Sequence, residues 1–169
     1  MTLNDLQQTK DTELAARKKI VLRCCLAAGC TSSDSKGVKE RLEKAVAEAG
    51  LQEQVEVRGV GCMKLCCEGP LVQADPANAL YVRVTPDNVP AIIAALQGGP
   101  STLAQADPSA PFFSLQQSIV LANCGVIDPE RIEAYIAADG YLALHEVLAE
   151  MTPKDVVDAV VRSLSLIHI

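Results

Sequence analysis

The feature that most constrains this chain is the placing of four cysteines in two close pairs, each directly after a short apolar run. Cys25 and Cys30 have four residues between them, and Cys62 and Cys66 have three. Ile20, Val21 and Leu22 run ahead of the first pair, while Val55, Val57 and the residues to Val60 alternate with charge ahead of the second and end at Gly61. Both runs have the composition and spacing of strands. Between them Val38, Leu42, Ala45, Val46 and Ala49 recur at helical spacing, with Ser35 expected as the cap and Gly50 as the stop. A strand, a helix and a strand in that order predict a parallel pair joined by a right-handed crossover, whose carboxyl ends lie side by side. Both cysteine loops then leave the same edge, and four thiolates converge.

The chain continues with GCMKLCCEGP, an apolar run at Leu71 to Ala74, the turn-like DPAN and the alternating ALYVRV, which together predict a hairpin. Thr85 is expected to cap a second amphipathic helix, with Pro86 at its first position, Val89, Ile92, Ile93 and Leu96 on its apolar face, and Gly98 and Gly99 at its end. The fold class expected is α/β, and the element order is similar to that of a thioredoxin-like domain, here over residues 19–97. Residues 1–18 carry mixed charge without an apolar stripe and read as a solvated arm or frayed helix. Residues 98–111, rich in Gly, Pro, Ser and Ala, read as a linker. Residues 112–163 are expected to be mainly helical, with Asp128 and Pro129 opening one helix, Gly140 closing it, and Thr152-Pro153-Lys154-Asp155 starting another as a capping box.

Composition narrows the function. A chain of 169 residues, 49% hydrophobic and 21% charged, folds, and is expected to bury at most one and a half ordinary cores. Its net charge of -6, 3% aromatic content and lack of Trp argue against a nucleic-acid partner. Seven cysteines, an odd number, behind a polar opening argue for a reducing, cytoplasmic setting rather than a secreted disulfide framework. No run approaches the ~18 apolar residues of a membrane span.

Three chemistries use converging thiolates. Dithiol exchange needs C-x-x-C, which the sequence lacks. A structural zinc allows this spacing, in a zinc-stabilised assembly module. A two-iron cluster is a wider object than one ion and suits looser pairs on facing loops, so it is the favoured reading. Its charge of roughly -2, falling to roughly -3 on reduction, calls for backbone donors. Gly29, Gly61 and Gly69 stand beside the pairs and free the chain to supply them, with Arg23 and Lys64 as charged neighbours or merely solvated side chains. Cys24 and Cys67 each adjoin a candidate ligand, leaving the assignment ambiguous by one position at both loops. Strand neighbours face opposite ways, so one member of each doublet serves, and Cys25 and Cys66 are the choice. Cys124 is expected in a core, and His145 and His168 lack partners at ligand spacing.

The pairs CLAAGC and GCMKLCC, with EGPLVQADP and ALYVRVTPDNVPAI after them, resemble the thioredoxin-like [2Fe-2S] ferredoxin domain of NADH dehydrogenases. FFSLQQSIVLANCGVIDPERIEAYIAADGYLALHEVLAEMTPKDVVDAVVRS is similar to the helical opening of the complex I flavoprotein subunits. Their fusion resembles the diaphorase flavoprotein subunit (HoxF type) of NAD-reducing hydrogenases and its relatives in NAD-linked formate dehydrogenases. The resemblance implies Cys25, Cys30, Cys62 and Cys66 as cluster ligands. It also implies hydride transfer from NAD(P)H to FMN, electrons passed singly to iron-sulfur clusters, and work beside other subunits of a hydrogenase, formate dehydrogenase or complex I type assembly. In that family a glycine-rich flavin loop follows the Arg162-Ser163 position. Here LSLIHI follows, so residues 164–169 read as an aberrant tail, 112–163 as the truncated start of a flavoprotein domain, and the FMN and NAD(P)H sites as absent.

Overall fold

A computed structural model describes residues 2–163, and the expected aberrant tail over 164–169 lies outside the described residues. In chain order the elements are α1 (Leu3–Ala15), β1 (Ile20–Cys25), α2 (Ala28–Thr31), α3 (Ser35–Glu48), β2 (Val55–Val60), β3 (Val72–Asp75), β4 (Ala79–Tyr81), α4 (Val89–Leu96), β5 (Gln105–Ala106), α5 (Pro111–Ser114), α6 (Ile132–Ala137), α7 (Leu142–Glu150) and α8 (Pro153–Ser163). Short 3-10 turns add Cys66–Glu68 and Pro86–Asn88. Among the described residues no helix is long and apolar enough to cross a membrane. The chain divides into two compact units, Ala16–Ile132 and a second formed by the chain up to Ala15 with the chain from Glu133 onward.

The first unit is α/β. Its sheet runs β2-β1-β3-β4-β5, with β1 and β2 parallel and the other neighbours antiparallel. The α3 crossover joins the parallel pair as its sequence spacing predicts. On one face Leu22, Cys24, Val38, Leu42, Val46, Val72, Val84, Val89 and Ile92 form the main core beneath α3 and α4. On the other face a smaller cluster gathers Cys25, Cys30, Leu71, Leu80 and Val82, with Met63, Leu65, Ala106 and Phe113 packed against it.

Several local features differ from the expectation for physical reasons. The α3 cap is Asp34, not Ser35: Asp34 takes φ 66 and its carboxylate accepts from the Gly37 N–H, which leaves Ser35 buried at the first helical position. Gly50, at φ +67, follows the helix as expected of a left-handed stop. The strand read over ALYVRV ends at Tyr81, because Arg83 turns to φ 51 and donates its N–H to the Glu68 carbonyl at 2.8 Å. Within residues 98–111 two form β5, on the edge of β4. Thr85 caps as expected, and with Asn88 it closes a capping box on the 3-10 turn ahead of α4.

In the second unit α1 buries Leu6 although its sequence carries no stripe. The helix expected from Asp128 begins at Ile132, the last residue of the first unit, since the Asp128 carboxylate accepts from the Glu130 N–H in a turn ahead of it. Gly140 donates to the Tyr135 carbonyl beyond the end of α6. Thr152 and Asp155 bond reciprocally at the start of α8, the predicted capping box.

Candidate metal centre

The parallel register of β1 and β2 sets the site. Cys25 pairs with Val60, so the first loop begins level with the end of β2, one residue before Gly61 and two before Cys62. Alternation along β1 separates its doublet: Cys24 points into the core beneath α3, where its thiol lies 3.5 Å from the Ser35 carbonyl, while Cys25 joins the cluster on the other face with Cys30. The second doublet sits on the 3-10 turn, with Cys66 and Cys67 both exposed.

The sulfurs stand as two pairs. Cys62 Sγ and Cys66 Sγ are 3.9 Å apart. The Cys30 thiol is pushed up to about 12, by burial first and then by a hydrogen bond with the Cys25 thiol. A hydrogen bond with Cys62 raises the Cys66 thiol above its ordinary value, with Cys25 among the charges acting on it. Each loop presents a glycine to a cysteine of the other. A β-carbon on Gly29 would meet Cys66 Cβ at 3.4 Å and Sγ at 3.6 Å, and one on Gly69 would stand 2.7 Å from Cys30 Sγ. The Lys64 N–H donates to Cys62 Sγ at 3.3 Å. Among the described residues no three His, Cys, Asp or Glu side chains gather closely enough to hold a single metal ion.

Four of the seven cysteines thus form two close pairs on adjacent loops, Cys25 with Cys30 and Cys62 with Cys66. Cys24 lies on the far side of the sheet, and Cys67 is on the exposed turn. Cys124, expected in a core, is half-buried instead, with its sulfur 3.2 Å from where a Gly61 β-carbon would be. His145 lines an apolar groove with Leu6, Leu144 and Leu148, in a unit whose sequence contains no cysteine. His168 lies outside the described residues.

Arg23 is not a solvated charge. Its side chain is 15% exposed, pairs with Asp75 at 2.6 Å and donates to the Gly125 carbonyl at 2.7 Å. Arg58 holds the equivalent place on β2 and pairs with Glu56 at 2.7 Å. The recurrence of Arg in both strands that lead to cysteine loops, IVLRCC and VEVRGV, is the sign of it in the sequence.

Residues 10–97, more than half of the chain, match the family described as thioredoxin-like [2Fe-2S] ferredoxin. The NADP-reducing hydrogenase subunit HndC of Solidesulfovibrio fructosivorans is 56% identical over 48 residues, 28% of this chain and 10% of that subunit. A 2Fe-2S ferredoxin of Clostridium pasteurianum is 31% identical over 64 residues, 38% of this chain and 63% of the ferredoxin. The chain therefore spans less than two thirds of either relative. A solved thioredoxin-like [2Fe-2S] ferredoxin from Aquifex aeolicus aligns with a TM-score of 0.48 and 22% identity, covering 56% of this chain and 98% of the ferredoxin.

Proposed function

The chain belongs to the thioredoxin-like [2Fe-2S] ferredoxin family, and we propose that Cys25, Cys30, Cys62 and Cys66 hold its cluster, each close pair serving one iron. The observation that carries the assignment is the arrangement of the thiols as two facing pairs at the adjacent ends of two parallel strands. A [2Fe-2S] group asks for that donor set, because each iron takes two thiolates and shares two sulfides. When bound, the cluster supplies one-electron transfer by changing iron valence.

The chain's own residues prepare the site around it. Leu71, Leu80, Val82, Met63, Leu65 and Phe113 surround Cys25 and Cys30 and exclude water from that half. Cys66 stays exposed, which makes its side the one an electron partner approaches. The Lys64 N–H donates to Cys62 Sγ, and Gly29 and Gly69 allow the close approach of the two loops at Cys66 and Cys30.

We assign the domain to an NAD(P)H-linked oxidoreductase of the diaphorase type, working in the cytoplasm within a multi-subunit redox complex. HndC, a subunit of an NADP-reducing hydrogenase, supports this with its 56% identity over 48 residues. Residues 19–97 are then the cluster domain, 98–111 the connection, and 112–163 the start of the flavoprotein part. In such an assembly FMN takes the hydride from NAD(P)H, and this domain's part is to carry single electrons.

Anaerobic reconstitution with iron and sulfide tests the assignment. The expected product is red-brown, with about two irons per chain and a reduced-state EPR signal, and Cys66→Ala loses the visible chromophore. A colourless protein that takes up one zinc and no iron overturns it in favour of a zinc-stabilised assembly module.

A further inference from the structure

Arg23 on β1 and Arg58 on β2 are register partners, on the sheet face that also carries Cys25. Two guanidinium groups at neighbouring strand positions repel, and each has its own carboxylate. Arg23 donates to Asp75 through Nε at 2.6 Å and Nη2 at 3.1 Å. Arg58 donates to Glu56 through Nε at 2.7 Å and Nη2 at 2.8 Å. The remaining arm of each fork reaches the same short segment: Arg23 Nη1 donates to the Gly125 carbonyl at 2.7 Å and Arg58 Nη1 to the Val126 carbonyl at 3.5 Å. Guanidinium geometry suits this double duty, since one edge binds a carboxylate while the other stays free to donate.

The segment so held lies on the second cysteine loop. Gly125 sits at φ +78, and a β-carbon there would stand 2.9 Å from the Cys62 carbonyl oxygen and 3.2 Å from Met63 Cγ. Cys124 packs its sulfur against Gly61, and Lys64 Nζ donates to Ser118 Oγ. Lys64 itself takes φ 69, a left-handed conformation that turns its N–H toward Cys62 Sγ. A non-glycine residue keeps such a conformation only where its surroundings fix it, and here Met63 and Leu65 pack on the small cluster from one side while residues 118–126 hold the turn from another.

We propose that residues 118–126 are a positioning brace for the Cys62-Met63-Lys64 turn, latched to the sheet by Arg23 and Arg58, and that the brace keeps the Lys64 N–H on the Cys62 sulfur. The latch stands on protein contacts alone; its effect on the cluster rests on Cys62 being a ligand. A hydrogen bond to a ligand sulfur stabilises the more negative, reduced state, so releasing the brace lowers the midpoint potential.

The test uses the full chain with Arg23→Gln and, separately, Gly125→Val, which lies outside the sheet and decides the matter if the first variant does not fold. Alkylation of Cys124, followed by peptide mass, is expected to be at least about ten-fold faster in both, the exposure gained on local opening. Both reconstituted variants keep their iron, show a changed EPR line shape and have a more negative midpoint potential. An unchanged alkylation rate removes the latch, and faster alkylation with an unchanged spectrum and potential removes the brace. Should the wild-type chain take up no cluster, the cluster assignment falls, and the alkylation ratio in the metal-free chain still upholds or overturns the latch.

Discussion

A β-carbon on Gly69 would stand 2.7 Å from the sulfur of Cys30, so the second loop crosses the first at a separation that leaves room for hydrogen alone. Cys30 is fully buried and cannot swing into solvent to escape. One methyl group can be met by rotating the thiol, but a β-branched side chain adds a second carbon in the same space. Gly69→Val is therefore expected to retain less than about half of the wild-type iron while far-UV circular dichroism stays native, an overpacking defect confined to the site. Gly29→Ala, whose β-carbon would meet Cys66 at ordinary contact distances of 3.4 and 3.6 Å, is expected to bind iron fully. Equal iron content in the two variants would show that the loop crossing does not govern the site.

The two members of the exposed doublet separate in the same assay. Cys66 stands 3.9 Å from Cys62 Sγ, whereas the turn that carries both cysteines continues into Glu68, which is tied to Arg83. Cys67→Ala is expected to leave the visible spectrum and iron content unchanged, and Cys66→Ala to lose both. The reverse result would move the ligand by one position.

The site was more legible than its surroundings because its geometry follows from short-range rules. Strand alternation sends Cys24 and Cys25 to opposite faces, and the parallel crossover brings Cys25 and Cys62 to one edge. Neither needs a partner distant in sequence. The order over residues 105–126 has no such local cause. Gln105 and Ala106 form a strand only because β4 offers an open edge, and the turns near Gly125 are fixed by two arginines about a hundred and about seventy residues earlier. A stretch without periodicity then reads as a connection, and Arg23 as a solvated charge. The Asp34 cap escaped for a related reason: a left-handed Asp ahead of a buried Ser has the same composition as a Ser cap.

Uptake of the cluster is expected to release protons. A thiol must ionise to ligate, and one thiol of each pair resists ionisation: burial and Cys25 push Cys30 up to about 12, and the Cys62 hydrogen bond raises Cys66. At neutral pH the apoprotein therefore holds protons on Cys30 and Cys66 that iron must displace. The rate and extent of reconstitution, read from visible absorbance, should rise with pH across the neutral to mildly alkaline range, and the bound cluster should be lost on acidification. Reconstitution that does not vary with pH would mean that the thiols are already ionised in the apoprotein.

Cys24 makes a prediction of opposite sense for the metal-free fold. Burial, followed by the neighbouring Cys25 and Cys30, raises its thiol from the ordinary 9.0 to about 12. Below pH 9 the thiol is neutral in both folded and unfolded chains, so the stability that its burial brings is fully present. Between about 9 and about 12 the unfolded chain ionises Cys24 and the folded chain does not, so stability falls with rising pH by up to about 1.4 kcal/mol per unit from this group. Cys24→Ala removes the group, leaving a small cavity beneath α3 that costs on the order of 1 kcal/mol at neutral pH. Urea unfolding of the metal-free protein should show the variant less stable than wild type near pH 7, with the gap narrowing as pH rises above 9. A gap that stays constant across that range would mean that the Cys24 thiol ionises in place, and that the space beneath α3 is open to water.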